Sequence, residues 1–172
     1  MMHCARENGE ISRAEYKLRE AIEVFSIDMN QYKEALDLGA APGGWSNVLL
    51  SYGCNVTAID PAKMDQRILA NPKLKHYKET TQQYLARGLE KRYDIIVNDM
   101  KMDVVQSCAI INEFAHLLSE NGLIVITFKL PNKYNYLNVK RGFEELKSYY
   151  HIKAARQLFH NRSEITVVLE RL

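Results

Sequence analysis

Apolar positions along this chain alternate between two periods. Near-continuous apolar runs of strand length occupy 34–38, 54–59, 93–98 and 122–129, with a weaker one near 73–78. Runs of this kind, without a polar face, belong to strands covered on both sides, as in a parallel sheet. Helical stretches lie between them at roughly 44–52, 80–91 and 103–119. In the last, Val104, Val105, Cys108, Ile111, Ala115 and Leu118 recur at helical spacing. A further helix is expected at about 135–150. Two β-rich segments follow, Ile152–Phe159 and Glu164–Leu169, split by the polar turn His160-Asn161-Arg162-Ser163. That pattern predicts a hairpin adding an antiparallel edge to an otherwise parallel sheet. At the other end, Ser12-Arg13-Ala14-Glu15 has the form of a capping box and predicts a helix beginning at Ser12. Ala14, Leu18, Ala21, Ile22 and Phe25 share one face of it. Lys17 sits at the edge of that stripe, where most helical lysines simply snorkel to solvent. Repeats, low-complexity tracts and linkers are absent, so the pattern predicts one α/β domain over 1–172. Its parts are an N-terminal helix in 1–30, carrying Lys17, and a core in 31–172.

The segment Ala-Leu-Asp-Leu-Gly-Ala-Ala-Pro-Gly-Gly-Trp at 35–45 is the most specific in the chain. A buried strand breaks there into a glycine-rich turn and then opens a helix. Gly39 suits a sharp turn where a Cβ would clash, and Gly43 and Gly44 allow close approach of a ligand to the helix N-terminus. The spacing is not the G-x-G-x-x-G of dinucleotide enzymes, because Ala41 and Pro42 stiffen the middle of the turn. The next strand ends in Asp60, about 20 residues after the turn, where a carboxylate is placed to accept hydrogen bonds from two ribose hydroxyls. Each feature alone also fits an ordinary turn. Together they point to a nucleotide-type cofactor.

Composition narrows the picture further. With 172 residues the chain is long enough to bury a full core, and a net charge of +2 rules out a strongly basic tail. Cys4, Cys54 and Cys108 lack metal-ligand spacing, and two of them lie in apolar runs where a reduced, packed thiol is expected. Without a signal-peptide h-region or an apolar run of membrane-spanning length, a cytoplasmic protein without membrane contact is expected.

The ordered motifs Ser-Arg-Ala-Glu-Tyr-Lys-Leu at 12–18, Asp-Leu-Gly-Ala-Ala-Pro-Gly-Gly-Trp at 37–45, Asn-Asp-Met at 98–100, Lys129 and Ser-Glu-Ile-Thr-Val-Val at 163–168 carry a resemblance over nearly the whole chain. It resembles the S-adenosylmethionine-dependent RNA 2′-O-ribose methyltransferases of the FtsJ type. Phe-Lys-Leu-Pro at 128–131 and Ala-Arg-Gln-Leu-Phe-His-Asn-Arg-Ser-Glu at 155–164 are most similar to the RlmM-type enzymes of large-subunit ribosomal RNA. The resemblance implies a Rossmann-like methyltransferase fold: a mostly parallel seven-stranded sheet with an antiparallel C-terminal hairpin and helices on both faces. It further implies a Lys–Asp–Lys–Glu tetrad at Lys17, Asp99, Lys129 and Glu164, with no metal. Read singly, Asp99 fits a helix cap, Lys129 a solvated strand end and Glu164 a cross-strand partner of Arg162 or Arg156. Their joint occurrence favours the tetrad.

The implied reaction is in-line methyl transfer to a ribose 2′-oxygen. Lys129 is expected to take the proton, made neutral by partial burial and by Lys17, against an ordinary lysine pKa of about 10.4. Lys17 would steady the oxyanion, Asp99 would orient Lys129 and lie near the transferred methyl, and Glu164 would fix Lys17. The S-adenosylmethionine contacts expected are Gly39, Ala41, Pro42, Gly43, Gly44 and Trp45 at the methionine end, Asp60 at the ribose, Glu79 as the nearest acid to the adenine, and Asp99. Asp99-Met100-Lys101-Met102 departs from the common Asp-Met-Ala-Pro form, which puts the shape of the target-nucleotide pocket in question. Two basic clusters, Lys73/Lys75/His76/Lys78 and Lys133/Lys140/Arg141/Lys147 with Tyr134, Tyr136, Tyr149 and Tyr150, suit RNA contact or a solvated surface. RlmM-type enzymes carry an added N-terminal RNA-binding region, whereas about ten residues precede the first helix here, so a partner chain for RNA recognition is one expectation. The alternatives are a 2′-O-methyltransferase of tRNA or another RNA, and a catalytically idle S-adenosylmethionine-binding assembly factor.

Overall fold

In the computed structural model, residues 10–130, 132 and 136–172 are described. Cys4, Pro131, Lys133 and Tyr134 lie outside them. Seven strands form one sheet in the order β3-β2-β1-β4-β5-β7-β6. They are β1 (Glu34–Leu38), β2 (Asn55–Ile59), β3 (Leu74–Tyr77), β4 (Tyr93–Asn98), β5 (Leu118–Lys129), β6 (Tyr150–Arg156) and β7 (Glu164–Arg171). β7 is antiparallel to both of its neighbours, β5 and β6, while the other pairings are parallel. The reversal brings the start of β7 to the same end of the sheet as the carboxyl ends of β1, β2, β4 and β5.

The helices are α1 (Glu15–Val24), α2 (Gly44–Ser51), α3 (Gln66–Leu69), α4 (Thr81–Ala86), α5 (Val104–Glu113) and α6 (Tyr136–Leu146). They cover both faces of the sheet. On one side Leu18, Ala21 and Ile22 of α1 and Val48 and Leu49 of α2 pack with Ala35, Ile95, Val97, Val125 and Val168. On the other, Cys108 and Ile111 of α5 and Val139 and Leu146 of α6 pack with Leu36, Ile96, Ile124, Ile126 and Val167. Alternate residues of each strand thus feed two cores, which is why these strands read as unbroken apolar runs. Cys54 and Cys108 are free and buried. Among the described residues no helix is long and apolar enough to cross a membrane.

Several boundaries differ from expectation. α1 starts at Glu15 rather than Ser12, because the preceding turn closes through backbone bonds and no side chain caps the helix. Glu15 Oε2 instead accepts from Ile11 N at 2.6 Å. α4 stops at Ala86, five residues early, where Gly88 follows at φ +65°. The stretch from 103 to 119 divides into α5, a 3-10 turn at Ala115–Leu117 and the first residues of β5. α3, a single turn capped by Asp65, carries too few residues for a period to register.

β1 holds one buried acid, Asp37, whose Oδ2 accepts from Ser46 Oγ at 2.7 Å. Burial pushes its carboxyl up to about 7; the Ser46 bonds oppose this, and Asp99 and Asp60 add to it. The folded chain therefore prefers the protonated form. That contribution to stability is full below the ordinary carboxylate range and is lost as pH rises through about 7. Thermal unfolding of the wild type should show Tm falling between about pH 4 and 7, and Asp37→Asn should remove most of that slope. Equal slopes in the two proteins would refute the assignment.

Candidate active site

The carboxyl ends of the parallel strands open onto a cleft of about 660 Å³. β1 delivers Gly39 at φ +68°, where a Cβ would lie 2.1 Å from Met100 Cγ. Gly43, at φ +118°, caps α2 and leaves no room for a Cβ beside Ile68. Both positions are thereby restricted to glycine. The cleft is lined by Gly39, Ala41, Pro42, Asp60 and Glu79 on one flank, by Asp99, Met100, Lys101 and Met102 on another, and by Ser12 and Ala14 from the approach to α1.

At one border of the cleft, three charged side chains meet. Lys17 Nζ lies 2.7 Å from Asp99 Oδ1 and 3.1 Å from Glu164 Oε2, with the side chains only 13%, 15% and 18% exposed. Thr127 Oγ1 donates to the same Asp99 oxygen at 2.6 Å. Burial pushes the Asp99 carboxyl up from its ordinary value, and the hydrogen bond and charge of Lys17 pull against it. Lys129 stands directly opposite Glu164 across the β5–β7 pair. Side chains at facing positions of an antiparallel pair share one side of the sheet. The four residues singled out in the sequence thus converge at one place from α1, the end of β4, the end of β5 and the start of β7.

Their arrangement differs in two respects from the expected one. Lys129 is exposed rather than partly buried, and among the described residues it has no ion pair. Asp99 bonds Lys17 and Thr127, not Lys129. Lys17 itself is no snorkelling lysine; its length reaches from α1 over the strand ends to two carboxylates.

Of the cofactor contacts expected, Gly39, Ala41, Pro42, Asp60, Glu79 and Asp99 line the cleft. Asp60 holds the turn itself, accepting from Ala41 N at 3.1 Å and Ala62 N at 2.8 Å. Glu79 is clasped by Arg87 at 2.6 and 3.2 Å. The Trp45 side chain is buried against α1, where Nε1 donates to Ala14 O at 2.9 Å, so its ring does not line the cleft. Gly43 and Gly44 are not among the residues that line the cleft. Ser12 was missed by sequence reasoning. Its Oγ is buried with no hydrogen-bond partner, lines the cleft, and lies 2.3 Å from where a Gly44 Cβ would be. An orphaned hydroxyl of this kind calls for a ligand. The only signal was the Ser-x-x-Glu pattern, which also describes a helix cap.

The basic clusters are partly committed elsewhere. His76 Nε2 lies 2.9 Å from the Asp60 carbonyl oxygen, Lys75 lies over the Tyr77 ring, and Lys147 pairs with Glu144. Tyr150 is buried, its hydroxyl donating to Ile111 O, whereas Tyr136 and Tyr149 are exposed.

The model of a family described as FtsJ-like methyltransferase matches residues 11–160. The chain belongs to the FtsJ-like methyltransferase family. It is 31% identical over 170 residues to the ribosomal RNA large subunit methyltransferase M of Aeromonas salmonicida, covering 91% of this chain and 45% of that protein. To the protein of the same name from Pseudomonas putida it is 30% identical over 177 residues, covering 94% and 48%. The chain therefore spans about half the length of the curated relatives it matches. Among solved structures it is similar to a fibrillarin/Nop5p complex (TM-score 0.70, 15% identity, 92% of this chain and 83% of the other). It is also similar to the N-methyltransferase NodS of Bradyrhizobium japonicum in complex with S-adenosylhomocysteine (TM-score 0.70, 13% identity, 95% and 89%). These two likenesses establish a Rossmann-like methyltransferase fold. FtsJ-like methyltransferases use S-adenosylmethionine as methyl donor.

The ion cluster makes a stability prediction. Lys17→Met strands two poorly exposed carboxylates side by side and should cost about 3 kcal/mol in urea unfolding. Lys129→Met, at an exposed position, should cost about 0.5 kcal/mol. Equal losses would contradict this geometry.

Proposed function

We propose that this chain transfers a methyl group from S-adenosylmethionine to a ribose 2′-hydroxyl of RNA, with ribosomal RNA as the substrate class. The observation that carries the reading is the meeting of Lys17, Asp99 and Glu164, with Lys129 opposite, beside a cleft that suits the cofactor. The cleft fits that group on three counts: glycine positions without room for a Cβ, the acids Asp60 and Glu79 on its wall, and the unpartnered Ser12 hydroxyl. Ser12 would take the methionine end and Asp60 the ribose. When bound, S-adenosylmethionine supplies a methyl group already activated by its sulfonium.

The remaining work falls to this chain's side chains. Asp99 and Glu164 hold Lys17 as a charged donor, and Lys17 directs an ammonium hydrogen at the ribose oxygen to steady the negative charge that develops there. Lys129 accepts the 2′-hydroxyl proton at Nζ. Because Lys129 is exposed, the RNA itself must cover it and strip its water, which disfavours a charged amine. Proton removal is thus tied to a seated substrate. Fixing the hydroxyl in line with the methyl supplies on the order of 7–11 kcal/mol of the barrier reduction. The catalytic unit in this proposal is a single domain, with residues 1–30 supplying Lys17 and 31–172 the rest. Choice among RNAs is left to surfaces outside the cleft, including any that a partner chain supplies. Two buried free thiols fit a reducing, cytoplasmic setting.

Tritiated-methyl transfer to undermodified ribosomal RNA, followed by nucleoside digestion, should place label in a 2′-O-methylated nucleoside. Lys129→Ala should lower the rate by at least about 10²-fold and leave S-adenosylhomocysteine affinity by calorimetry unchanged. Cofactor binding without label in any RNA would overturn the enzymatic reading. In the same titration Ser12→Ala should weaken S-adenosylhomocysteine binding by about ten-fold; undiminished affinity would remove Ser12 from the site.

A further inference from the structure

The turn joining β6 to β7, residues 157–163, reaches the same end of the sheet as the ion cluster and is held from several directions. Leu158 is buried in the core on the α1 side. The buried Asn161 side chain accepts at Oδ1 from Leu158 N and Thr166 Oγ1, both at 2.9 Å. Gln157 Nε2 donates to Arg162 O at 2.7 Å. His160 N donates to Glu20 Oε1 of α1 at 2.9 Å, and the His160 ring stacks on Tyr16, the neighbour of Lys17 (centroids 5.4 Å apart). Within this pinned turn Phe159 stands 88% exposed, touching His160 edge to face at 5.1 Å.

A single exposed phenylalanine on a loose loop would mean little. Here the backbone on both sides is fixed, so the ring is presented to solvent with little conformational freedom left to lose on binding. Its surroundings are cationic. Lys129 and Arg156 lie on the α1 side of the sheet by strand alternation, since Lys129 faces Glu164 and Arg156 faces Thr166. Both are exposed, as is Arg162 in the turn itself. The nearby acids are engaged, Glu164 by Lys17 and Glu20 by His160. A preordered aromatic face among exposed cations suits a base with its phosphates.

We infer that the β6–β7 turn is a nucleobase platform: Phe159 stacks on a base of the substrate RNA beside the Lys17–Asp99–Glu164 cluster, while Arg156 and Arg162 face the adjoining phosphates. This rests on the RNA reading above and specifies how the substrate is seated.

The test is fluorescence polarisation with a labelled single-stranded RNA and with an abasic ribose-phosphate strand of equal length. Wild type should bind the RNA more tightly than the abasic strand. Phe159→Ala should weaken RNA binding by about five-fold or more, to the abasic level, with S-adenosylhomocysteine affinity unchanged as the sign of an intact fold. Phe159→Trp should keep RNA affinity, and the indole it introduces should be quenched as RNA is added. RNA bound equally by wild type and Phe159→Ala, or an unquenched indole, would overturn the platform alone and assign the exposed ring to a protein contact. Failure of the wild type to bind RNA would remove the RNA reading and the platform with it.

Discussion

Two carboxylates held a few ångströms apart with little solvent need a cation between them, and that requirement organises the working end of this molecule. Asp99 comes from the middle of the sheet and Glu164 from its reversed strand; Lys17 comes from a helix 82 residues from the first and 147 from the second in sequence. Removing the cation would leave like charges facing each other where water does little to separate them. The helix must therefore lie across the strand ends. Its other polar contacts agree with that placement: Glu15 Oε1 accepts from Asn47 at 3.1 Å, and Ala14 O accepts from the Trp45 indole. Ser12 is carried over Gly44 as a result. One ion cluster thus fixes the proposed catalytic side chains and also closes a wall of the cleft.

The strand reversal has a matching role. In a fully parallel sheet, the strand beyond β5 would present its carboxyl end here. Because β7 runs the other way, its first residue, Glu164, arrives at the site with the preceding turn beside it. The residues lining the cleft come from the approach to α1 and the ends of β1 to β4, and those proposed to face the substrate come from β5, β7 and the turn. The two sets meet at Asp99.

Much of this was legible in the sequence, for reasons that differ by element. β1 and β4 were found at their observed bounds because both faces of their central residues are buried, and the acids within the runs are accommodated: Asp37 by suppression of its charge, Asp94 by accepting from Lys33 N and Glu34 N. The glycine turn was legible because steric exclusion leaves one residue type possible. What escaped was what depends on distance in space. Ser12 looked like a cap because capping and ligand binding ask for the same hydroxyl. Trp45 looked like a cofactor contact because its place in the turn was visible and its burial beneath α1 was not. The four residues were picked out by motif, and Glu164 was expected beside Lys17, where it lies; Asp99 was expected to serve Lys129, and only the path of α1 decides that it takes Lys17 instead. The β6–β7 turn read as polar, and its single exposed ring was hidden inside an apolar segment.

The course of the last strand also has a practical side. Leu172 is exposed and its amide bonds Tyr149 O, beside the start of β6, while Arg171 reaches Leu118 O at the start of β5. That is the end of the sheet away from the cleft. A fluorophore or a surface tether joined at Leu172 would leave the cleft facing open solution, which makes it the natural handle for immobilising the protein in single-molecule work.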